Sequence, residues 1–460
     1  VPEIAPKSIA VLGAGITGLT AAHRLAKQGH RVRVFEQQNR IGGAIGTDII
    51  DGWLCERGPN SMLANDPSVM ALIHELGLSD ECVKANPLAR KRYIVRGGKP
   101  VATPSSPLSL ITTPLFSFRA KIGLIRELFR RPYQRPDDVS LAQFIEDHFD
   151  REIVDYALTP FIGGVYAGDP SQLSARHAFP TLWESEQSRG SIIRGLIAKM
   201  SKRGKIKNAP PPRVGIISFH RGLQTLTETL AASLPSDALS LDTEVSQITR
   251  NGSWNVTWKH DGGEHTEGFD VVVSALPASG LAELQVGASD DRPLATLKDL
   301  LHPPVDSLVL GYRREQISHA LDGFGMLVPA VEKRSVLGVL FSSSLFAGRT
   351  PGGHASLTVM VGGTRQPELT GLDTDELLRR IQPDLRDLLG VEGDPVFRRH
   401  QSWPRAIPQY NLGHGRFLDA IAACEQQNQG LFIGGQVRDG IALPACISAG
   451  EKLAARAIES

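Results

Sequence analysis

The stretch that most constrains this chain is Gly13-Ala14-Gly15-Ile16-Thr17-Gly18, together with what flanks it. Ser8–Leu12 before it is a short apolar run that reads as a strand. Ile16 to Gly29 carries Leu19, Ala22, Leu25 and Ala26 at helical spacing and stops at a glycine, and Arg31–Glu36 alternates as a second strand. A G-x-G-x-x-G between strand and helix, with an acid closing the next strand, is the fingerprint of a dinucleotide-binding β-α-β unit. Gly13 permits the tight turn. Gly15 lets the backbone approach a pyrophosphate where unpaired N–H groups and the helix dipole favour an anion, and Gly18 lets helix and strand pack closely. Ala14, Ile16 and Thr17 belong to the same turn. Glu36 is suited to accept from ribose hydroxyls, with Gln37 next to it, and its charge disfavours a 2′-phosphate. A plain strand–helix turn without a ligand is the competing reading, and the completeness of the fingerprint weighs against it. Glycine is 46 of 460 residues, above the ordinary share of about 7%, which agrees with a backbone that needs special angles or close ligand approach.

Arg40, Gly42 and Gly43 follow directly in Glu36-Gln-Gln-Asn-Arg-Ile-Gly-Gly43. A second anion contact so close to the ribose-binding acid suits a flavin dinucleotide, and the pattern resembles the FAD-binding amine-oxidase-like superfamily. The far end of the chain agrees with this. Leu431-Phe-Ile-Gly-Gly435 is a strand running into a glycine turn, and Gly440-Ile441-Ala442-Leu443 precedes a final helix expected over Ile447–Ile458. The resemblance implies that this segment returns to the flavin and brings N–H groups to its pyrimidine edge.

Five further blocks narrow the resemblance. Arg57-Gly-Pro-Asn-Ser61, Lys91-Arg-Tyr-Ile-Val95, Gly164-Val-Tyr-Ala-Gly-Asp-Pro170, Phe324-Gly-Met-Leu-Val-Pro329 and Ile407-Pro-Gln-Tyr-Asn411 are similar to the oxygen-dependent, FAD-containing protoporphyrinogen oxidase family, from about residue 8 to the C-terminus. That resemblance implies non-covalent FAD, a porphyrinogen substrate oxidised in three two-electron steps by hydride transfer to the flavin, and O2 as acceptor giving H2O2. It also implies an α/β fold in three parts: a Rossmann-like FAD-binding domain of discontinuous segments (1–90, 213–290 and 400–460), a mixed-sheet substrate domain (91–104 and 291–399), and a helical membrane-docking insertion (105–212). Gly58, Pro59, Asn60, Ser61, Val245, Trp403, Gly435, Ile441, Ala442 and Leu443 would contact FAD. Arg92 would pair with a substrate propionate, the Gly164 carbonyl would face the pyrrole N–H groups, and Phe324, Leu327, Leu340 and Met360 would wall the macrocycle. No side chain is assigned as an acid or base, and no metal is expected. Read without the resemblance, the four apolar residues are ordinary core, Trp403 is a satisfied core tryptophan, Asn60 is a turn residue, and Arg92 is one of three adjacent cations with Arg90 and Lys91.

The net charge of +1 argues against a wholly basic nucleic-acid binder. It conceals a division. Residues 84–135 sum to +11 and residues 189–213 to +8, leaving −18 elsewhere. A basic helix is expected over 119–131 with Ile122, Ile125, Leu128 and Phe129 on one side, and Leu108, Leu110, Ile111, Leu115, Phe116 and Phe118 are interleaved with the cations. Such a segment suits an anionic membrane surface, the alternative being a solvated face packed on the core. No apolar run is long enough to span a bilayer, so a cytoplasmic, peripherally membrane-associated protein is expected, with a homodimer as a family expectation.

The rest of the chain is read more coarsely. Asp66-Pro67 opens a helix to Gly77, residues 140–205 are mostly helical, and Pro210–Pro212 marks a break. A helix covers 223–234, and strands include 254–258 and 271–275. Residues 305–312, 336–341 and 355–361 are strands of a second sheet, and Asp373 caps a helix near 374–389. The four cysteines are scattered without Cys-x-x-Cys, which speaks against a metal knuckle. Cys446 is the one candidate for a covalent flavin link. Alternatives at this level are coproporphyrinogen III as substrate, another flavin amine oxidase or a carotenoid desaturase, and a non-enzymatic porphyrin-binding protein.

Overall fold

Three short apolar runs, the alternating Arg31–Phe35 and the short segment Leu239–Ser240 lie side by side as the first layer. A computed structural model describes residues 5–64, 66–131, 135–204, 215–287 and 291–460. In it, Leu239–Ser240, Arg31–Phe35, Ser8–Leu12, Val271–Ser274 and Leu431–Ile433 form a five-stranded sheet in that order, every pairing parallel. Runs apolar on both faces are what a parallel sheet needs, because both faces are covered. Ile9, Val11, Val34 and Val273 point to one side, where helices Ile16–Lys27 and Leu443–Glu459 pack through Leu19, Leu25 and Ile447. Ala10, Leu12, Phe35 and Val272 point to the other and meet Trp254, Val256 and Trp258, which belong to a four-stranded sheet.

The helix expected after Asp66 spans Pro67–Glu75, with the Asp66 carboxylate accepting from Ser68 N at 2.9 Å. The last helix starts at Leu443, four residues before the expected Ile447. Pro444 lies in its first turn, where no N–H is needed, so the proline opens the helix rather than preceding it.

A second sheet has seven strands in the order Phe397–Trp403, Val305–Arg313, His354–Gly362, Val336–Leu340, Gly323–Leu327, Lys91–Arg96, Lys99–Ala102. It contains the three expected strands and four more. The boundary expected at residue 400 falls inside the strand Phe397–Trp403, which pairs with Val305–Gly311. One face of this sheet packs Leu308, Leu310, Val339 and Val359 on Leu377, Ile381 and Leu385 of helix Thr374–Leu389, whose cap is Asp373, accepting from Glu376 N at 2.9 Å. The molecule is thus a mixed α/β fold with several sheets.

Between the strand Lys99–Ala102 and the strand Ile216–Phe219 the described chain is helical, with Leu141, Phe144, Val154, Ile162 and Ile192 as a small core of its own. The helix expected over 119–131 spans Phe118–Glu127. Leu115 and Phe116 do not join the exposed apolar face expected of them. They are buried on Ile94 and Ala120, because the strand Lys91–Arg96 offers an apolar side chain there. Leu108, Ile111, Phe118, Ile125 and Phe129 are exposed. The charge division is smaller in space than in sequence, since Arg96, Arg119 and Arg135 pair with Glu152, Asp150 and Asp147 at 2.5, 3.0 and 2.8 Å. Lys205, Lys207, Arg213 and the Pro210–Pro212 break lie outside the described residues. All four cysteines are free, and among the described residues no helix is long and apolar enough to cross a membrane.

Candidate functional site

The turn at the start of helix Ile16–Lys27 shows why its glycines are needed. Gly13 has φ +98° and a β-carbon there would lie 3.2 Å from Ala275 O, while one on Gly18 would lie 1.9 Å from Gly13 O. A β-carbon on Gly15 would meet nothing within 4 Å. Gly15 caps the helix without a side-chain bond, so open space and unpaired N–H groups coincide at this end. Ile16 and Thr17 are buried. The Glu36 carboxylate accepts from Ala14 N at 2.8 Å and Gln38 N at 2.9 Å, spanning the turn, and Gln37 is exposed. Gly42 and Gly43, both at positive φ, lie against the turn. Gly42 N donates to Ala14 O at 2.8 Å, and a β-carbon on Gly43 would come 3.4 Å from Gly15 Cα. Arg40 donates to the carbonyls of Ile41, Gly43 and Ile45 at 3.3, 2.6 and 3.1 Å. It therefore shapes this loop as well as bringing charge to it.

Four other segments converge here. Thr243 N donates to Glu36 O at 2.8 Å, which sets the half-buried Val245 beside the acid. A β-carbon on Gly58 would lie 2.3 Å from Ala44 O and 3.7 Å from Trp403 Cζ2, and Trp403 Nε1 donates to Arg57 O at 2.8 Å. Pro59, Asn60 and Ser61 are half-buried, and the Asn60 amide donates to Gly58 O at 3.1 Å. Gly435, at φ +106°, faces Thr17 Oγ1 at 3.7 Å from where its β-carbon would be, and Thr17 donates to Cys446 O at 3.1 Å. Ile441 and Ala442 lead to Leu443 at a helix start without a side-chain cap. Cys446 is buried, and that burial pushes its thiol up to about 11, which disfavours the nucleophilic thiolate.

Strand register defines the second half of the site. Ile94, Leu327, Gly338, Met360, Ser307 and Gln401 form one row across the seven-stranded sheet, and Arg92, Gly325, Leu340, Thr358, Val309 and Arg399 the next. Paired residues share a face, and this face is the one turned away from helix Thr374–Leu389. Trp403, two residues beyond Gln401, carries it to Gly58. At the other end the helix Thr159–Tyr166 covers it, and a β-carbon on Gly164 would lie 2.2 Å from Leu327 Cδ2. Leu327, Leu340, Met360 and Phe324 are all half-buried, unlike their fully buried neighbours on the core face. Arg92 is exposed with its guanidinium carbon 5.7 Å from the Phe324 ring. Lys91 is tied to Asp322 at 2.5 Å, and among the described residues no carboxylate pairs with Arg92. The expected apolar wall, glycine and cation are therefore together, and the sheet face leads to the expected cofactor segments. Among the described residues no cluster of potential metal ligands exists.

Sequence reasoning gave no role to Gln409 and Tyr410, although it quoted their segment. Gln409 Nε2 donates to Tyr166 O at 2.8 Å, and the Tyr410 hydroxyl donates to Gln436 O at 2.5 Å. Thr358 and Ser307, polar members of the site face, were also missed. The alternation of apolar with small or polar residues along 355–361 was the available signal.

The model of the flavin-containing amine oxidoreductase family matches residues 16–458. The chain is 35% identical to protoporphyrinogen oxidase 2, chloroplastic/mitochondrial, of Arabidopsis thaliana over 99% of this chain and 94% of that one. It is 27% identical to coproporphyrinogen III oxidase of Staphylococcus aureus over 98% and 99%. A crystal structure from Exiguobacterium sp. 255-15 superposes with a TM-score of 0.81 at 22% identity, covering 99% of this chain and all of that one (100%).

Proposed function

Because the chain belongs to the family of flavin-containing amine oxidoreductases, we propose that it oxidises a porphyrinogen, with protoporphyrinogen IX as substrate, in haem biosynthesis. It is an FAD-dependent oxidoreductase, and the cofactor when bound accepts two electrons at a time. The parallel sheet is read as a Rossmann-like unit. The Gly13–Gly18 turn, Gly42 and Gly43 would hold the pyrophosphate, Glu36 the ribose, and Val245 the adenine end. Gly58–Ser61, Trp403, Gly435 and Ile441–Leu443 would hold the ring, without a covalent link. The open space at Gly15 supports this assignment.

One observation carries the substrate reading: a half-buried apolar sheet face, roofed by the Gly164 helix and bordered by Arg92, a cation with no carboxylate partner among the described residues. A porphyrinogen is a broad apolar ring with carboxylates on one edge, so it calls for flat apolar walls and a cation at the mouth. Leu327, Leu340, Met360 and Phe324 exclude water from the ring, Arg92 orients it by a propionate, and the Gly164 carbonyl accepts from pyrrole N–H groups without adding charge. Coproporphyrinogen III has four carboxylates. With Lys91 committed to Asp322, Arg90 and Arg92 are the two cations of this run without a carboxylate partner among the described residues, a number that suits the two carboxylates of protoporphyrinogen.

O2 is the proposed final acceptor, giving H2O2. The exposed Phe118 and Phe129, at 78% and 80%, with Leu108, Ile111 and Ile125 and the basic residues around them, support docking at an anionic membrane surface. A homodimer is the expected assembly. Anaerobic mixing with each porphyrinogen tests the main reading. Protoporphyrinogen IX should bleach the flavin, and porphyrin fluorescence should rise as O2 is admitted. If neither compound bleaches it, the reading is wrong. Sedimentation with anionic vesicles tests docking, and indifference to lipid and salt refutes it.

A further inference from the structure

The segment Ile407–Asn411 is a strap fastened to both halves of the site. On the substrate side, the Gln409 amide donates to Tyr166 O and Ile407 O at 2.8 and 2.9 Å, holding the end of the helix that carries Gly164. The strap backbone is fixed there too, with Ser174 N donating to Tyr410 O at 2.8 Å and Leu173 bridging Asn411. On the other side, the Tyr410 hydroxyl donates to Gln436 O at 2.5 Å and accepts from Gly440 N at 3.0 Å. One oxygen thus closes the turn between Gly435 and Ile441–Leu443. The ring is buried and stacked on His414, with centroids 4.2 Å apart and planes at 22°.

We propose that Tyr410 is a positioning residue that fixes the Gln436–Gly440 turn, and with it the backbone N–H groups of Ile441–Leu443, against the flavin, while Gln409 fixes the substrate helix from the same strap. The inference rests on the reading that FAD lies against 435–443. Gly440, at φ +110°, gains no orientation from a side chain of its own. Without the hydroxyl, both Gln436 O and Gly440 N lose their partner inside the protein, and the turn is free to move. Donors aimed at a ring that gains negative charge on reduction favour the reduced form more than the oxidised one. Loosening them therefore costs the reduced form more.

The test uses the full chain and the variants Tyr410→Phe and Gln409→Leu. Apoprotein is titrated with FAD, and the flavin midpoint potential is measured in the reconstituted protein. Loss of one to two hydrogen bonds should weaken FAD binding about tenfold in Tyr410→Phe. The potential should become more negative, and kcat for protoporphyrinogen IX should fall with KM unchanged. Gln409→Leu should raise KM and leave the potential where it was. An unchanged potential and FAD affinity in Tyr410→Phe overturns the proposal, as does an equal shift in both variants, which would mean a general loss of strap packing. If the unaltered protein takes up no FAD, the functional reading fails and this inference with it. If it does take up FAD and Tyr410→Phe matches it, only this inference fails.

Discussion

Gly164 and Leu327 touch so closely that a β-carbon on the glycine would lie 2.2 Å from Leu327 Cδ2. The neighbour is the end of a flexible side chain, so an alanine at 164 need not unfold the helix. It would push Leu327 along the sheet face into the space proposed for the macrocycle. Gly164→Ala should raise KM for the porphyrinogen about tenfold, with a stability cost of about 1–3 kcal/mol and FAD content unchanged. Adding Leu327→Ala should recover most of the KM. Steady-state kinetics and thermal unfolding of the two variants check this, and no recovery in the double variant would mean that the glycine acts otherwise.

Among the described residues the Arg92 guanidinium contacts the Phe324 ring and pairs with no carboxylate, so its removal leaves no buried carboxylate unpaired. A charge-assisted hydrogen bond to a carboxylate is worth about 1.5–3 kcal/mol. Arg92→Ala should therefore raise KM by about ten- to a hundredfold, and Arg92→Lys by less, with unchanged flavin content and Tm. Loss of FAD in Arg92→Ala would make the residue structural.

The second and third glycines of the fingerprint should fail differently. Gly18→Ala sets a β-carbon 1.9 Å from a backbone oxygen, which no rotamer relieves, so the variant should be poorly folded with or without FAD. Gly15→Ala meets no protein atom within 4 Å. Its apoprotein should melt as the parent does, while FAD binding weakens at least tenfold. Apoprotein melting curves and FAD titration separate the two. Full FAD affinity in Gly15→Ala would remove the pyrophosphate from this turn.

These contrasts mark what could be read from the chain. Gly13–Gly18 and Glu36 were legible because a β-α-β unit is local, and its spacing survives in the sequence. Strands 305–312 and 355–361 were legible from their apolar runs. The strand Lys91–Arg96 was quoted as a motif but not read as a strand, because it earns its place by a parallel pairing with Gly323–Leu327, more than two hundred residues away. Leu115 and Phe116 look like membrane residues in sequence, since only the fold brings Ile94 over them. Tyr410 gives no local signal at all. Its partners are backbone atoms of a turn 26 and 30 residues downstream.

The helical insertion contains a titratable latch whose pH dependence can be worked out. His148 is buried between Glu127 and Glu186, each ring nitrogen 2.9 Å from a carboxylate oxygen. A neutral imidazole has one N–H, so serving both acceptors requires the cation. Burial opposes that charge, but the bonds to Glu127 and Glu186 outweigh it and hold His148 above its ordinary 6.5, with Arg130 opposing. Burial likewise opposes ionisation of Glu127 and Glu186. Glu127 is nevertheless held below 4.5 by His148, Ser191 and Ile192 N, and Glu186 by His148 and Arg135, which also pairs with Asp147. The histidine's contribution is complete below about 6.5 and is lost as pH rises through its raised value. The carboxylates' contribution is complete above about 4.5 and is lost as pH falls through their lowered values. Glu127 also receives Ile192 N at 2.7 Å, so the latch ties helices Phe118–Glu127, Leu141–His148, Pro180–Arg189 and Ile192–Gly204. Hydrogen exchange in these helices should be slowest between about pH 4.5 and 6.5 after correction for intrinsic rates, and should quicken on the alkaline side. His148→Gln should remove that alkaline limb and, by breaking a buried pair, cost about 3 kcal/mol. A His148→Gln profile identical to the parent's would show that the imidazole carries no charge there.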